Sequence, residues 1–146
     1  MSAGYSGTPL VQKLGIRSGM RISVIDSPID YGRLVADLPP DIAILERPRA
    51  ALDFVHLFVG ERRVLQRRLP SLRQKLVPDG MIWVSWPKKS ARVPTDITED
   101  VVREVALPLG LVDVKVCAVD DVWSGLKLVI RRTERASAPP GARDRH

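Results

Sequence analysis

The residues of this chain best placed to do chemistry are a pair of adjacent lysines, Lys88 and Lys89, which follow Met-Ile-Trp-Val-Ser-Trp-Pro at 81–87. An apolar strand ending in Pro87 would carry both ammonium groups to its carboxyl end. In open α/β sheets that end opens onto the ligand crevice, so the two lysines are placed to meet an anion. Pro87 fixes the exit direction, and Trp86 offers an aromatic face for stacking. By the same logic of strand ends, the candidate crevice is lined by Asp26, Ser27, Glu46, Gly60, Ser85, Trp86, Pro87, Lys88 and Lys89. No residue set forms a catalytic constellation. His56 lies inside an apolar run and reads as a core histidine with satisfied ring nitrogens, not as an acid or base. With one cysteine, Cys117, and with His146 in a polar tail, neither an internal disulfide nor a zinc site is expected.

The elements that must position these residues alternate in type. Thr8 and Pro9 read as N-cap and first residue of a short helix that Gly15 closes. Residues 21–26 and 41–45 read as strands, and 31–38 as a helix stopped by Pro39 and Pro40. Residues 53–59 form a nearly continuous apolar run, the mark of a strand buried on both faces of a parallel sheet. Residues 61–76 carry a helical apolar stripe at Val64, Leu65, Leu69, Leu72 and Leu76, with Pro70 as a kink or break. A turn at Pro78, Asp79 and Gly80 launches the strand at 81–86. Residues 96–107 read as a helix capped by Asp96 or Thr98, with Glu99 and Asp100 complementing its dipole. Segments 111–119 and 126–131 are expected to pair as an antiparallel hairpin around a turn at 120–125.

This order predicts one α/β domain over residues 1–132, three-layered, with a mostly parallel sheet and a C-terminal antiparallel hairpin, followed by a disordered basic tail at 133–146. The link at 46–52 is shorter than a complete crossover. Either a helix and a strand have been lost there, or the two flanking strands pair antiparallel.

At 146 residues, 45% of them apolar and 27% charged, the chain has the material for one packed core. No apolar run approaches the roughly 20 residues of a membrane-spanning helix. The N-terminal residues lack a basic segment followed by an apolar one, so a cytoplasmic location is expected, with no membrane partner. The net charge of +6 is uneven. Arg62, Arg63, Arg67, Arg68, Arg73, Lys75, Lys88, Lys89 and Arg92 concentrate positive charge between 61 and 92, whereas 93–130 is acidic. The arginine doublets could track phosphates, but no helix-turn-helix or stacking motif accompanies them, so nucleic acid is a partner without motif support. Gly4 to Thr8 could cradle a phosphate, yet the spacing lacks the glycines and lysine of a P-loop and reads better as an arm.

Leu-Gly-Ile at 14–16, Gly-Met-Arg-Ile-Ser-Val-Ile-Asp at 19–26, Leu-Val-Pro-Asp-Gly-Met-Ile-Trp-Val at 76–84 and the closing helix with its hairpin together resemble a shortened class I S-adenosylmethionine-dependent methyltransferase domain, with the Rossmann-like architecture that implies. The chain also resembles a small bacterial family of unknown function through Gly-Tyr-Ser-Gly-Thr-Pro-Leu at 4–10, Trp-Val-Ser-Trp-Pro-Lys-Lys at 83–89, Thr-Glu-Asp at 98–100 and Trp-Ser-Gly-Leu-Lys at 123–127. The methyltransferase resemblance implies S-adenosylmethionine as cofactor, Glu46 on its ribose and Asp26 near its amino acid moiety. Against it, the turn after the first strand reads Asp-Ser-Pro-Ile-Asp-Tyr-Gly at 26–32. Pro28 removes a donor, Ile29 adds bulk, and the glycines that let a backbone approach a cofactor are missing.

The expectation is therefore a non-catalytic binding or regulatory module with a degenerate cofactor site and a small anionic molecule as its candidate ligand. The alternatives are a methyltransferase, or a nucleic-acid or protein adaptor using the Arg-rich helix 61–76. Replacing Lys88 and Lys89 together by alanine is expected to abolish binding of an anionic ligand without lowering the melting temperature; unchanged binding would remove the site.

Overall fold

Residues 8–45 and 47–135 are described in the structure, a computed structural model. Six strands form one sheet in the order β2-β1-β3-β4-β6-β5: β1 (Arg21–Ile25), β2 (Ala43–Leu45), β3 (Leu52–Phe58), β4 (Leu76–Pro87), β5 (Leu111–Ala118) and β6 (Trp123–Ile130). β1 pairs parallel with β2 on one side and with β3 on the other, and β3 pairs parallel with β4. β6 runs antiparallel to both β4 and β5, so the expected hairpin is present. The strands flanking the short link at 46–52 are not neighbours at all, because β1 lies between them. Against the usual doubly wound order 3-2-1-4-5-6, the outermost strand is the one missing. Loss of a helix and a strand, not antiparallel pairing, accounts for the short link.

Helices cover both faces. α1 (Leu10–Leu14) and α2 (Tyr31–Leu34) lie on one, where Leu14, Ile16, Tyr31 and Val35 pack on Ile22, Phe54, Phe58, Met81 and Trp83. α3 (Arg62–Lys75) and α4 (Glu99–Ala106) lie on the other, where Leu65, Leu69, Leu72 and Val102 pack on Val55, Leu57, Ile82, Val84, Trp86 and Leu126. The alternation of side chains along β3 and β4 divides the two cores: every second residue feeds each layer. Trp83 is fully buried, and its indole N–H donates to the Leu14 carbonyl at 2.8 Å, tying α1 to the centre of the sheet.

Several element boundaries differ from the sequence expectation, each for a local reason. Pro9, not Thr8, is the N-cap of α1, and its carbonyl accepts from the Gln12 and Lys13 N–H groups. α2 lasts one turn because Val35 turns extended and drops into the core, and Asp37 then adopts a left-handed φ of 67°. α3 continues through Pro70 without a break. Residues 78–80 are not a turn before the strand but a bulge within β4: between the pairs Leu52 with Leu76 and Phe54 with Met81, β3 advances two residues and β4 five. α4 starts only at Glu99, with the Thr98 hydroxyl accepting from the Val101 N–H. β6 starts early, at Trp123, because the Asp120 carboxylate accepts from the Val122 and Trp123 N–H groups and tightens the hairpin turn.

Both edges of the sheet are irregular. β2 has three residues, and β5 carries a register shift between Asp113 and Lys115. Asp113 pairs with Arg103 of α4 at 2.9 Å, while the Lys115 ammonium donates to the Lys13 carbonyl at the end of α1, on the other side of the sheet. A last turn, α5 (Arg132–Arg135), takes in the first residues of the expected tail, and Glu134 pairs with Arg73 and Arg131. The rest of the tail lies outside the described residues. No helix among the described residues is long and apolar enough to cross a membrane.

One polar chain runs through the α1 and α2 side of the core. The Tyr31 hydroxyl lies 2.6 Å from His56 Nδ1, and His56 Nε2 lies 2.7 Å from Ser85 Oγ. His56 and Ser85 are fully buried and Tyr31 nearly so. The reading of His56 as a satisfied core histidine agrees with this geometry. Burial pushes the His56 pKa down to about 3 and raises that of the Tyr31 hydroxyl, so the imidazole stays neutral.

Since unfolded His56 binds a proton near pH 6.5 and the folded residue does not, stability rises with pH through that window and is lost as pH falls. Chemical denaturation is expected to show a loss of about 2 kcal/mol between about pH 7 and pH 5, above the carboxylate range, and the His56→Asn variant is expected to lack that slope. The bulge supplies a second expectation. A Cβ at Gly80 would lie 2.7 Å from the Leu76 side chain and 3.1 Å from the Leu52 carbonyl oxygen, so Gly80→Ala is expected to cost about 1–3 kcal/mol in the same measurement.

Candidate functional site

The strand order reverses at β1, so the carboxyl ends of β1 and β3 form the switch point beyond which open α/β sheets bind their ligands. Asp26 follows β1 and adopts a left-handed φ of 59°, the conformation a glycine would supply at that turn. The Ser27 hydroxyl donates to the Ile29 carbonyl at 2.7 Å and shapes the loop that leads into α2. Tyr31 then anchors the far end of that loop to the sheet through His56 and Ser85.

From the other wall, α3 brings Arg68 over the end of β1. Its guanidinium lies 3.8 Å from the Asp26 carboxylate, a loose ion pair with both side chains partly exposed. Arg68 Nε is buried and makes no hydrogen bond. Gly60, after β3, is held from above: its carbonyl accepts from the Thr95 hydroxyl at 2.7 Å, and the next helix start is capped by Asp96, which accepts from the Arg62 N–H at 2.7 Å. Segment 88–98 thereby folds across the carboxyl end of β3.

The structure brings Asp26, Ser27 and Gly60 together at the crevice and puts Lys88 and Lys89 on the same rim, past the end of β4. It does not bring Ser85, Trp86 and Pro87 to the surface. Ser85 is buried against His56, Trp86 is buried between the sheet and the α3 and α4 layer, and Pro87 is buried opposite Trp123. The aromatic face expected from Trp86 comes instead from Trp123, half-buried at the start of β6 and edge-on to Phe58 at 5.3 Å. Glu46 and the Gly4 to Gly7 arm lie outside the described residues.

Sequence reasoning missed Arg68, Thr95, Asp96 and Trp123 as site-forming residues. Arg68 lies three residues after Leu65 and four before Leu72, but that spacing does not show that α3 crosses the end of β1. The cations of the Arg-rich helix have partners of their own on the surface. Arg62 pairs with Glu104, Arg63 with Glu61, Arg68 with Asp26 and Arg73 with Glu134, all with partly exposed side chains. Among the described residues, no group of three His, Cys, Asp or Glu side chains is placed to hold a metal ion.

No family model matches the chain, and no curated protein matches its sequence. Solved structures do match, and they show the fold. A SAM-dependent methyltransferase from Aquifex aeolicus is similar over 83% of this chain and 88% of that one, with 13% identity and a TM-score of 0.58. The magnesium protoporphyrin IX methyltransferase ChlM from Synechocystis, solved with bound SAM, is similar over 83% of this chain and 74% of that one, with 10% identity and a TM-score of 0.53. TrmN from Thermus thermophilus is similar over 83% of this chain, with 13% identity and a TM-score of 0.58; the chain spans 47% of that protein's length. The architecture is that of a shortened class I methyltransferase, as the sequence resemblance implied. The expectation of a non-catalytic module is overturned by these likenesses, which favour its methyl-transfer alternative.

Proposed function

We propose that this chain is an S-adenosylmethionine-dependent methyltransferase that binds its cofactor in the crevice between β1 and β3. The observation that carries the reading is the reversal of strand order at β1 with Asp26 in a left-handed turn facing Arg68. The turn lacks glycine in its sequence but not in its conformation, since aspartate tolerates positive φ better than most residues. The residues fit the cofactor's amino acid end. That end is a zwitterion, and Asp26 with Arg68 presents one charge of each sign, 3.8 Å apart and too far for a tight mutual hydrogen bond. Asp26 would take the ammonium group, and Arg68, through the partly exposed end of its guanidinium, would take the carboxylate. Ile29 does not obstruct, being an exposed side chain at 48%.

When bound, the cofactor supplies a methyl group activated by a positively charged sulfonium. The chain's own contribution is position and exclusion of water, because transfer of a methyl group demands in-line approach more than proton movement. The clamp from Thr95 to Gly60 and from Asp96 to the Arg62 N–H holds the roof of the crevice, and Tyr31 holds its floor through His56. His56 itself stays neutral beneath the rim and carries no proton in the reaction.

Isothermal titration with S-adenosylmethionine and its demethylated product is expected to give micromolar binding. Arg68→Ala is expected to weaken it by about 10-fold or more, the size of a lost hydrogen bond to a charged group. The Lys88, Lys89 double alanine variant is expected to bind both as the parent does. No heat from either ligand would overturn the reading.

A further inference from the structure

β5 and β6 bring two lysines face to face. Lys115 and Lys127 are directly opposite in the antiparallel ladder, and Lys127 is in turn opposite Trp83 of β4, whose side chain packs under α1. Both lysines therefore stand on the face that α1 covers. Like charges at directly opposite positions, with Cβ atoms about 5 Å apart, repel and weaken a strand pair. Lys127 is half-buried, which sharpens the conflict. Its pKa is lowered by burial first and then by the positive charges of Lys115 and Arg17, so the charged groups around it are cations too.

The described residues supply no counter-charge. None of their ion pairs involves Lys115, Lys127 or Arg17. On β5, Asp113 is turned to the opposite face, to Arg103 of α4. Asp79 of β4 lies in the bulge, four residues before Trp83. Near Arg17, Asp41 accepts from the Ser18 hydroxyl and Asp53 from the Arg21 N–H. Neither α1 nor β6 carries a carboxylate. The end of α1 does not absorb the charge either. A helix C-terminus attracts cations, but the carbonyls of Val11, Gln12, Lys13 and Leu14 already accept from the Ile16 N–H, the Gly15 N–H, the Lys115 ammonium and the Trp83 indole. Lys115 has two further N–H groups, and no described acceptor takes the Lys127 ammonium.

We propose that Lys127, Lys115 and Arg17 form a binding site for a phosphate group, either inorganic phosphate or the dianionic end of a phosphomonoester. Two ammonium groups and a planar guanidinium, brought together from β6, β5 and the turn after α1, supply several charged donors to one tetrahedral anion and remove the repulsion between the lysines. The site is separate from the switch point. Trp83, level with Lys127, is four residues before Pro87, about 13 Å below the rim. It stands whether or not the crevice takes S-adenosylmethionine. When filled, it ties the turn after α1 to the closing hairpin, so binding stabilises the fold. Lysines that merely reach water along their stems would instead leave the fold indifferent to phosphate.

The test is isothermal titration of the full chain, at constant ionic strength set with chloride, against inorganic phosphate, ribose 5-phosphate and dimethyl phosphate. Saturable binding of the first two is expected in about the millimolar range, with the singly charged diester much weaker. Lys127→Met, Lys115→Met and Arg17→Ala are each expected to weaken binding by about 10-fold or more, the size of a lost hydrogen bond between charged groups. Without phosphate, Lys127→Met is expected to melt at or above the parent temperature, since the repulsion is gone; phosphate is expected to raise the melting temperature of the parent and not of the variant. Should Lys127→Met fail to fold, the exposed positions Lys115 and Arg17 carry the same comparison. Binding of inorganic phosphate identifies the free anion as sufficient, and binding of ribose 5-phosphate alone identifies an esterified one; both support the inference. Binding of neither, equal affinity in the variants, or binding of the diester alone overturns it.

Discussion

Parallel pairing of β1 with a neighbour on each side is the constraint from which the rest of the molecule follows. A parallel neighbour cannot be reached by a hairpin, so the chain must return to the opposite end of the sheet after each strand. Reversal of direction across the sheet at β1 then sends successive connections over opposite faces, α2 over one and α3 over the other. All four parallel strands release their chain at one rim. Asp26, Gly60 and Lys88 are far apart in sequence, and it is this constraint alone that makes them neighbours.

The second dependency is polar. A tyrosine, a histidine and a serine placed inside an apolar layer are stable because each buried donor or acceptor is satisfied by the next. Had Tyr31 been phenylalanine, an aromatic of similar shape would fill the space but leave a histidine nitrogen without its partner. The chain of bonds therefore does more than pack. It locks the first residue after the crevice loop onto β3 and β4, and a loop built on such an anchor can keep the strained φ of Asp26.

Much of this was legible in residue types. The apolar run at 53–59, the hairpin segments and the Thr98 cap led to the right elements, because burial on two faces, strand pairing and N–H satisfaction are local demands with local signatures. Lys88 and Lys89 follow the end of β4, as the apolar run ending in Pro87 implied. What could not be read was which way a side chain points once its strand is buried on both faces. Ser85, Trp86 and Pro87 share a strand end with Lys88, yet burial claims them, and Trp123, 35 residues after Lys88, supplies the aromatic surface. Arg68 was hidden differently. Its role requires knowing that α3 crosses the end of β1, a tertiary fact with no trace in the helix's own periodicity. Glycine is absent after β1, yet the backbone shape it normally provides is not, since Asp26 takes up the left-handed conformation there.

The irregular sheet edges have a consequence for the molecule's behaviour among copies of itself. With the outer strand missing, one border of the sheet is a three-residue stub, and the other is broken at Val114, where Asp113 and Lys115 are turned to opposite sides by α4 and α1. Val114 and Val116 are exposed there, and an uninterrupted row of such residues would template the growth of an intermolecular sheet. A short border offers too few backbone groups, and a bulged one offers them out of register. Loss of the outer strand leaves β2 as a border too short to template pairing, and the bulge at Val114 breaks the regular ladder of the opposite border, so neither offers a long, flat edge to a second copy.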